Sequence, residues 1–240
     1  MILLTNGCSH SVPYKMKPGT EWCHQIHKKL KIKNYTWMGL HDDFFFNNRQ
    51  TYFDSLNELP QKDFTYSLAS SGKSNDAIYF ETIETIERLK KTKKKPDLVL
   101  IQWSGPSRRL TVNPLQDEIF CVTPDDIIEG VAIPHFEPLA SELTFRFSEL
   151  LAQYLERENI DYRFLFYFDL DDRVFKFRNK IDDEKYIGFP QGLLSTMKKK
   201  GLTWDKPGHP NQQGHIFLSN LFLSKLPKKY KDLNSENKLI

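Results

Sequence analysis

Apolar residues along the chain fall into short, almost unbroken runs and into longer segments with an apolar position every three or four residues. Runs of the first kind occupy 1–5 (MILLT), 64–69 (FTYSLA), 97–103 (DLVLIQW) and 162–170 (YRFLFYFDL), and each predicts a buried strand. The second kind occupies 19–31, with Trp22, Cys23, Ile26 and Leu30 in phase, and about 76–91, with Ile78, Ile83, Ile86 and Leu89 in phase. It recurs at 138–160 and at about 211–225, so four amphipathic helices are predicted. Thr20 is placed to cap the first helix, and Pro96 ends the second. Residues 32–62 form an irregular aromatic segment, 104–137 read as loops with one hairpin around EIFCVT, and the stretch to about 203 is charged and irregular.

The order β-α-β-α-β-α-β-α calls for a parallel sheet with right-handed crossovers and helices on both faces. The expected fold is α/β, a three-layer α/β/α sandwich with a mostly parallel sheet. Ligands of such sheets bind beyond the carboxyl ends of the strands. Chemistry is therefore expected in the loops that begin near Asn6, Ala69, Trp103 and Asp169. No internal repeat or low-complexity linker divides the chain, so one domain over 1–240 is expected, with insertions at about 32–62 and 110–137.

Composition excludes several classes. A net charge of +3 gives no overall basic field for nucleic acid. The lysine clusters at 90–95, 198–200 and 227–231 fall at helix ends or connections, where solvated charge is the simpler reading. No apolar run approaches the ~20 residues that span a bilayer, and no secretory leader is expected. Three irregularly spaced cysteines make no disulfide framework. A cytoplasmic setting is the default expectation, with neither membrane nor nucleic acid as partner.

The strand-end loops carry small polar residues: Gly7-Cys8-Ser9-His10-Ser11, then Ser70-Ser71-Gly72-Lys73-Ser74-Asn75, then Gln102-Trp103-Ser104-Gly105-Pro106-Ser107-Arg108. WDKPGHPNQQGH (204–215) precedes the last helix. This ordered set resembles the SGNH (GDSL-like) hydrolases, above all divergent phage and bacterial members. Those read GCSHT or GCSFT at the first block, carry a Trp in the first helix as Trp22 does here, and read N/S-L-A-x-x-G-x-S-N where this chain has SLASSGKSN. The likeness covers most of the chain. It implies a flavodoxin-like sheet, Ser9 as nucleophile, His209 as general base and Asp205 as the residue that orients it. The Ser9 N–H and Gly72 would contribute to an oxyanion hole, and a phage-encoded protein would act in the host cytoplasm.

The residue types suit that chemistry. A serine hydroxyl attacks poorly until an imidazole accepts its proton and a carboxylate fixes the useful tautomer. Backbone N–H groups stabilise the oxyanion that forms, and Gly72 leaves room for it. Two departures from the family pattern stand out. Three residues separate Asp205 from His209 where the family has two, and QWSGPSR lacks the Asn that usually completes the oxyanion hole. Asn75, Ser104 or a backbone group would replace it. His10, Ser104 and Arg108 are the candidates for substrate contact.

Plainer readings stand beside these. Ser9 could cap a turn, Asn211 could simply cap a helix that follows His209, and His215 reads as a packing or surface residue. Arg108 and Arg109 suit a substrate anion or a surface ion pair equally well. The aromatic segment 35–53 suits a lid over a sugar or base, or simple packing. Cys8 is a rival nucleophile that needs a local base. Cys8, His10, Cys23, His24 and His27 lack the short converging spacing of a zinc site, so no metal and no cofactor is expected. The expected activity is hydrolysis of a small-molecule or glycan ester, an O-acetyl group on a carbohydrate being one form, through an acyl-Ser9 intermediate. An acyltransferase using the same residues, a non-catalytic binding protein of this fold and a nucleic-acid-associated factor are the alternatives; oligomeric state stays open.

Overall fold

The computed structural model describes residues 1–13, 15–37, 54, 56–113, 118–122, 127–128, 131–132, 137–171, 182–204 and 208–232. In chain order the strands are β1 (Ile2–Gly7), β2 (Asn34–Trp37), β3 (Phe64–Ser67), β4 (Leu98–Trp103), β5 (Arg109–Asn113), β6 (Glu118–Val122), β7 (Ile127–Ile128), β8 (Val131–Ala132), β9 (Asp161–Phe166) and β10 (Tyr186–Ile187). The helices are α1 (Trp22–Lys29), α2 (Asn75–Lys91), α3 (Glu137–Arg157), α4 (Leu194–Lys199), α5 (Gln212–Ser224) and α6 (Lys228–Asp232). Six strands make one sheet in the order β10-β9-β4-β1-β3-β2, and every pairing in it is parallel. Without the extra edge strand β2, this is the flavodoxin-like order.

The unbroken runs are explained by burial on both faces. Val99, Ile101 and Trp103 join Leu4, Tyr66 and Phe164 under α2 and α3, with Ile78, Ile86, Phe145 and Leu155 from those helices. Leu98 and Leu100 join Leu3 and Leu165 under α1 and α5, with Trp22, Ile26, Leu218 and Phe222. A strand that alternates between two apolar layers has no polar face to show.

Three features differ from the sequence reading. The segment read as an insertion supplies β2, a half-exposed edge strand (NYTW) whose pattern carries no apolar run. The region 104–137 holds the expected hairpin, β5 against β6, and a second, two-residue one, β7 against β8. Thr20 does not cap α1: its hydroxyl donates to the Lys17 carbonyl, and the first helical N–H, that of Trp22, donates to His215 Nδ1 instead. Among the described residues, no helix is long and apolar enough to cross a membrane.

Candidate active site

The chain order reverses direction across the sheet between β1 and β4, and sheets of this kind place their ligand crevice at the carboxyl ends of the strands at such a point. Gly7 closes β1 there. A Cβ on it would lie 2.1 Å from Ser11 Oγ and 3.2 Å from the Gln102 carbonyl oxygen, so only glycine lets the strand end and the next turn nest together. Ser9–Ser11 form one 3-10 turn, with the Ser11 N–H donating to the Cys8 carbonyl at 2.8 Å. Ser11 Oγ donates to Gln102 Oε1 on β4 at 3.1 Å and pins the turn over the crevice. Ser9 is buried there, at 7% exposure, while Cys8 beside it is completely enclosed. The difference favours Ser9 over Cys8 as the group an electrophile can reach.

His10 does not stand at the surface of the site. Its Nδ1 lies 3.3 Å from Cys8 Sγ and 3.5 Å from Ser9 Oγ. Its ring is packed among Tyr167 (4.6 Å), Phe168 (4.9 Å) and His209, on which it lies almost parallel at 4.4 Å. The expected substrate contact is thus a buried ring between the nucleophile candidate and the base candidate, because the end of β9 brings two aromatic residues over it.

The segment carrying His209 is fixed from three sides. Tyr167 donates its hydroxyl to the Gly208 carbonyl at 2.7 Å, and the Trp204 N–H donates to the His209 carbonyl at 2.8 Å. Asn211 caps α5 by accepting the Gly214 N–H at 2.9 Å, and its amide donates to the Gly201 carbonyl. His215 is a core residue: it is fully buried, and its Nδ1 accepts the Trp22 N–H at 3.2 Å, which ties α1 to α5. Acceptance at Nδ1 places its proton on Nε2 and keeps the ring neutral. Asp205 lies outside the described residues.

Electrostatics keep all three imidazoles neutral near pH 7. Burial, then His209 and Arg108, hold His10 well below its ordinary value. Burial and the Arg108 charge lower His209 to about 4, and burial with His209 lowers His215 to about 3. A neutral imidazole is the form in which a general base works.

The second loop turns at Gly72, whose φ is +85°. Among the described residues, neither the Gly72 nor the Ser9 amide N–H donates to another backbone group. Lys73, next in sequence, points inward and is buried. Its ammonium donates to Asn6 Oδ1 at 3.2 Å, to the Leu68 carbonyl and to the Glu81 carboxylate, which matches its three N–H groups to three acceptors. Asn6 Oδ1 also accepts the Gly7 N–H, and its Nδ2 donates to Ile78 O and Thr82 Oγ1. This network joins the nucleophile strand, the Gly72 loop and α2. Sequence reasoning missed it, although Glu81 on the inward face of α2 was a signal, since a buried carboxylate needs a partner.

Asn75 is committed elsewhere than at an oxyanion. Its Nδ2 donates to Thr144 Oγ1 (2.9 Å), Ser104 O (3.2 Å) and Gly105 O (3.3 Å), and its Oδ1 accepts the Ser104 N–H at 2.7 Å. It braces the third loop, and both hydrogens of its side-chain amide are engaged there. Ser104 is held by this brace, and its buried hydroxyl has no partner among the described residues. The Ser70 hydroxyl and the Gln102 amide nitrogen share that condition. Of the aromatic segment 35–53, residues 38–53 lie outside the described set. Trp37 donates its indole N–H to the Ala69 carbonyl at 2.9 Å and shows 44% of its surface. His24 and His27 pack with Tyr35, and His27 Nδ1 meets Thr65 Oγ1 at 3.0 Å.

No family model matches this chain, and no curated protein matches it either. Solved structures do. TesA aligns with a TM-score of 0.53 at 14% identity, over 95% of this chain and 99% of that one. The psychrotrophic esterase EstA from Pseudoalteromonas sp. aligns at TM-score 0.48 and 12% identity, over 96% and 98% of the two chains. A member of the lipolytic protein G-D-S-L family from Veillonella parvula aligns at 0.45 and 14%, over 93% and 97%. The fold of this chain is that of TesA.

Proposed function

We propose that this protein is a serine esterase of the SGNH type that works through an acyl-Ser9 intermediate. The observation that carries the reading is Ser9 itself, held in a tight turn at the β1–β4 crevice with an imidazole 3.5 Å from its hydroxyl and a second ring stacked on the first. In the proposed reaction Ser9 Oγ attacks the ester carbonyl and its proton passes to His209, which Asp205 orients. The Ser9 and Gly72 N–H groups receive the developing oxyanion. The ester C–O bond breaks, the alcohol leaves with the proton from the imidazolium, and water then releases the acid from Ser9. Loss of one such donor would cost about 2.7–4 kcal/mol of transition-state stabilisation.

One observation favours a second assignment of the base: the ring nitrogen beside Ser9 Oγ belongs to His10. In that version His10 takes the proton and His209 supports it through the stack. The substrate class we propose is a small-molecule or glycan ester, with carbohydrate O-acetyl groups included because the half-exposed Trp37 indole beside the Gly72 loop offers a surface on which a sugar can stack. An acyltransferase would differ only in the alcohol that replaces water. The test is turnover of 4-nitrophenyl acetate by wild type, Ser9→Ala, His209→Ala and His10→Gln. Turnover that disappears in Ser9→Ala is expected, and the more damaging histidine change identifies the base. Absence of turnover in folded wild type, across acetyl, butyryl and sugar acetate esters, would favour a binding protein.

A further inference from the structure

The β4–β5 connection is a tight turn, closed by the Arg108 N–H on the Gly105 carbonyl at 3.3 Å, and it delivers Arg108 and Arg109 to the carboxyl edge of the sheet. Other arginines are spent: Arg146 pairs with Glu142 and Glu149, and Arg163 donates to the Lys225 and Tyr162 carbonyls. Arg108 is not. Its Nη1 is removed from solvent and has no hydrogen-bond partner among the described residues. No ion pair joins Arg108 or Arg109 to another of the described residues. A guanidinium N–H that is buried and unmet among the described residues calls for an acceptor from outside that set.

A cavity lies beside the two guanidinium groups, and an anion entering it meets Arg108 Nη1 once the side chain turns toward it. Arg108 and Arg109 lie at this cavity of about 80 Å³, whose other walls are the polar Asn75, Asp76 and Thr144 and the apolar Pro106, Ala140, Leu143 and Phe147. That volume holds several waters, and so a carboxylate or phosphate. The carboxylate within it, Asp76, is already occupied by the Leu110 N–H, the Ala77 N–H and the Ser74 hydroxyl. Asn75 is shared with the wall of the Ser9 site, where it holds Ser104 and Gly105. The Arg108 charge is also felt at both His10 and His209.

We propose that Arg108 and Arg109 form an anion-binding subsite of the esterase centre, so that the ester it cleaves carries a second, negatively charged oxyanion group, a carboxylate, sulfate or phosphate. The planar fork of a guanidinium matches such groups. The inference rests on the reading of Ser9 as nucleophile, and the anion can sit on the acyl or the alcohol part.

Two matched substrate pairs separate these cases. 4-Nitrophenyl butyrate against mono-4-nitrophenyl glutarate places the charge on the acyl side, and phenyl acetate against 4-acetoxybenzoate places it on the alcohol side. Wild type should favour the charged member of one pair by roughly tenfold or more in kcat/KM, the discrimination a charge-assisted hydrogen bond supplies. The ratio should fall toward one in Arg108→Met, fall less in Arg108→Lys, and decline with added salt. Equal rates within both pairs, with Ser9 still labelled by a fluorophosphonate, would overturn the subsite and leave the esterase reading standing. If neither hydrolysis nor labelling occurs, the esterase reading fails, and millimolar glutarate decides the subsite alone. A rise in Tm for wild type that is absent in Arg108→Met upholds it, and no rise in either overturns it.

Discussion

The buried pair of Lys73 and Glu81 gives the sharpest test of the packing beneath the site. Both side chains are almost wholly enclosed, at 3% and 4% exposure. Removing one partner of such a pair leaves an uncompensated charge in a medium that solvates it poorly, at a cost of about 3–5 kcal/mol. A chain of this length loses roughly 2–4 °C of Tm per kcal/mol. Glu81→Gln, which leaves the Lys73 ammonium facing an amide, should therefore lower Tm by roughly 6–20 °C. Lys73→Met has an escape that Glu81→Gln lacks, because burial already pushes the Glu81 carboxyl upward and the acid can be held protonated. A group raised in the folded state contributes stability at low pH and loses it as pH rises through its folded value. The deficit of Lys73→Met should thus shrink on acidification from pH 8 to 5, relative to wild type. Lys73→Met/Glu81→Leu removes both charges and should recover most of the loss. Thermal unfolding followed by circular dichroism measures all four proteins. A double variant that loses the sum of the single losses would refute the reasoning, as would single variants within 2 °C or so of wild type.

Other outcomes follow from single contacts. Gly7→Ala should displace Ser11 from Gln102 and shift the Ser9 turn; a misplacement of that kind costs on the order of 10²-fold in kcat, and a rate unchanged in steady-state assays would contradict it. His10, His209 and His215 are all held low in the folded state, whereas the unfolded chain takes up their protons from about pH 6.5 downward. Their contribution is therefore present above that pH and lost as pH falls through the folded values, with a slope of about 1.4 kcal/mol per pH unit for each proton. Urea unfolding at pH 7.5, 6 and 5 reads this directly, and a flat response would count against the neutral cluster. Arg108→Met removes a positive charge that lowers His209, so the acid limb of kcat/KM should move to higher pH; an unmoved limb would mean that His209 is not the titrating base.

The parts of the fold that rest on continuous burial were legible in the chain. DLVLIQW reads as a strand because both faces of β4 meet apolar layers. NYTW does not, because β2 lies at the edge with its side chains half exposed. The Asn211 cap was visible, since capping acts over three residues. The cap expected of Thr20 failed because a ring 193 positions away in sequence, that of His215, takes the Trp22 N–H. The burial of His10 was hidden for the same reason: the aromatic residues that cover it arrive from the end of β9. Asn75 was expected at the oxyanion, and only the tertiary approach of Ser104, Gly105 and Thr144 shows where its amide goes.

The central claim is that Ser9 is an activated nucleophile, and fluorophosphonate labelling read by intact mass and peptide mapping tests it most directly. One adduct is expected on wild type, located on Ser9, absent in Ser9→Ala and slowed in His209→Ala or His10→Gln. An adduct on another residue, or none on folded wild type even when Trp37→Ala opens the rim of the site, would contradict it.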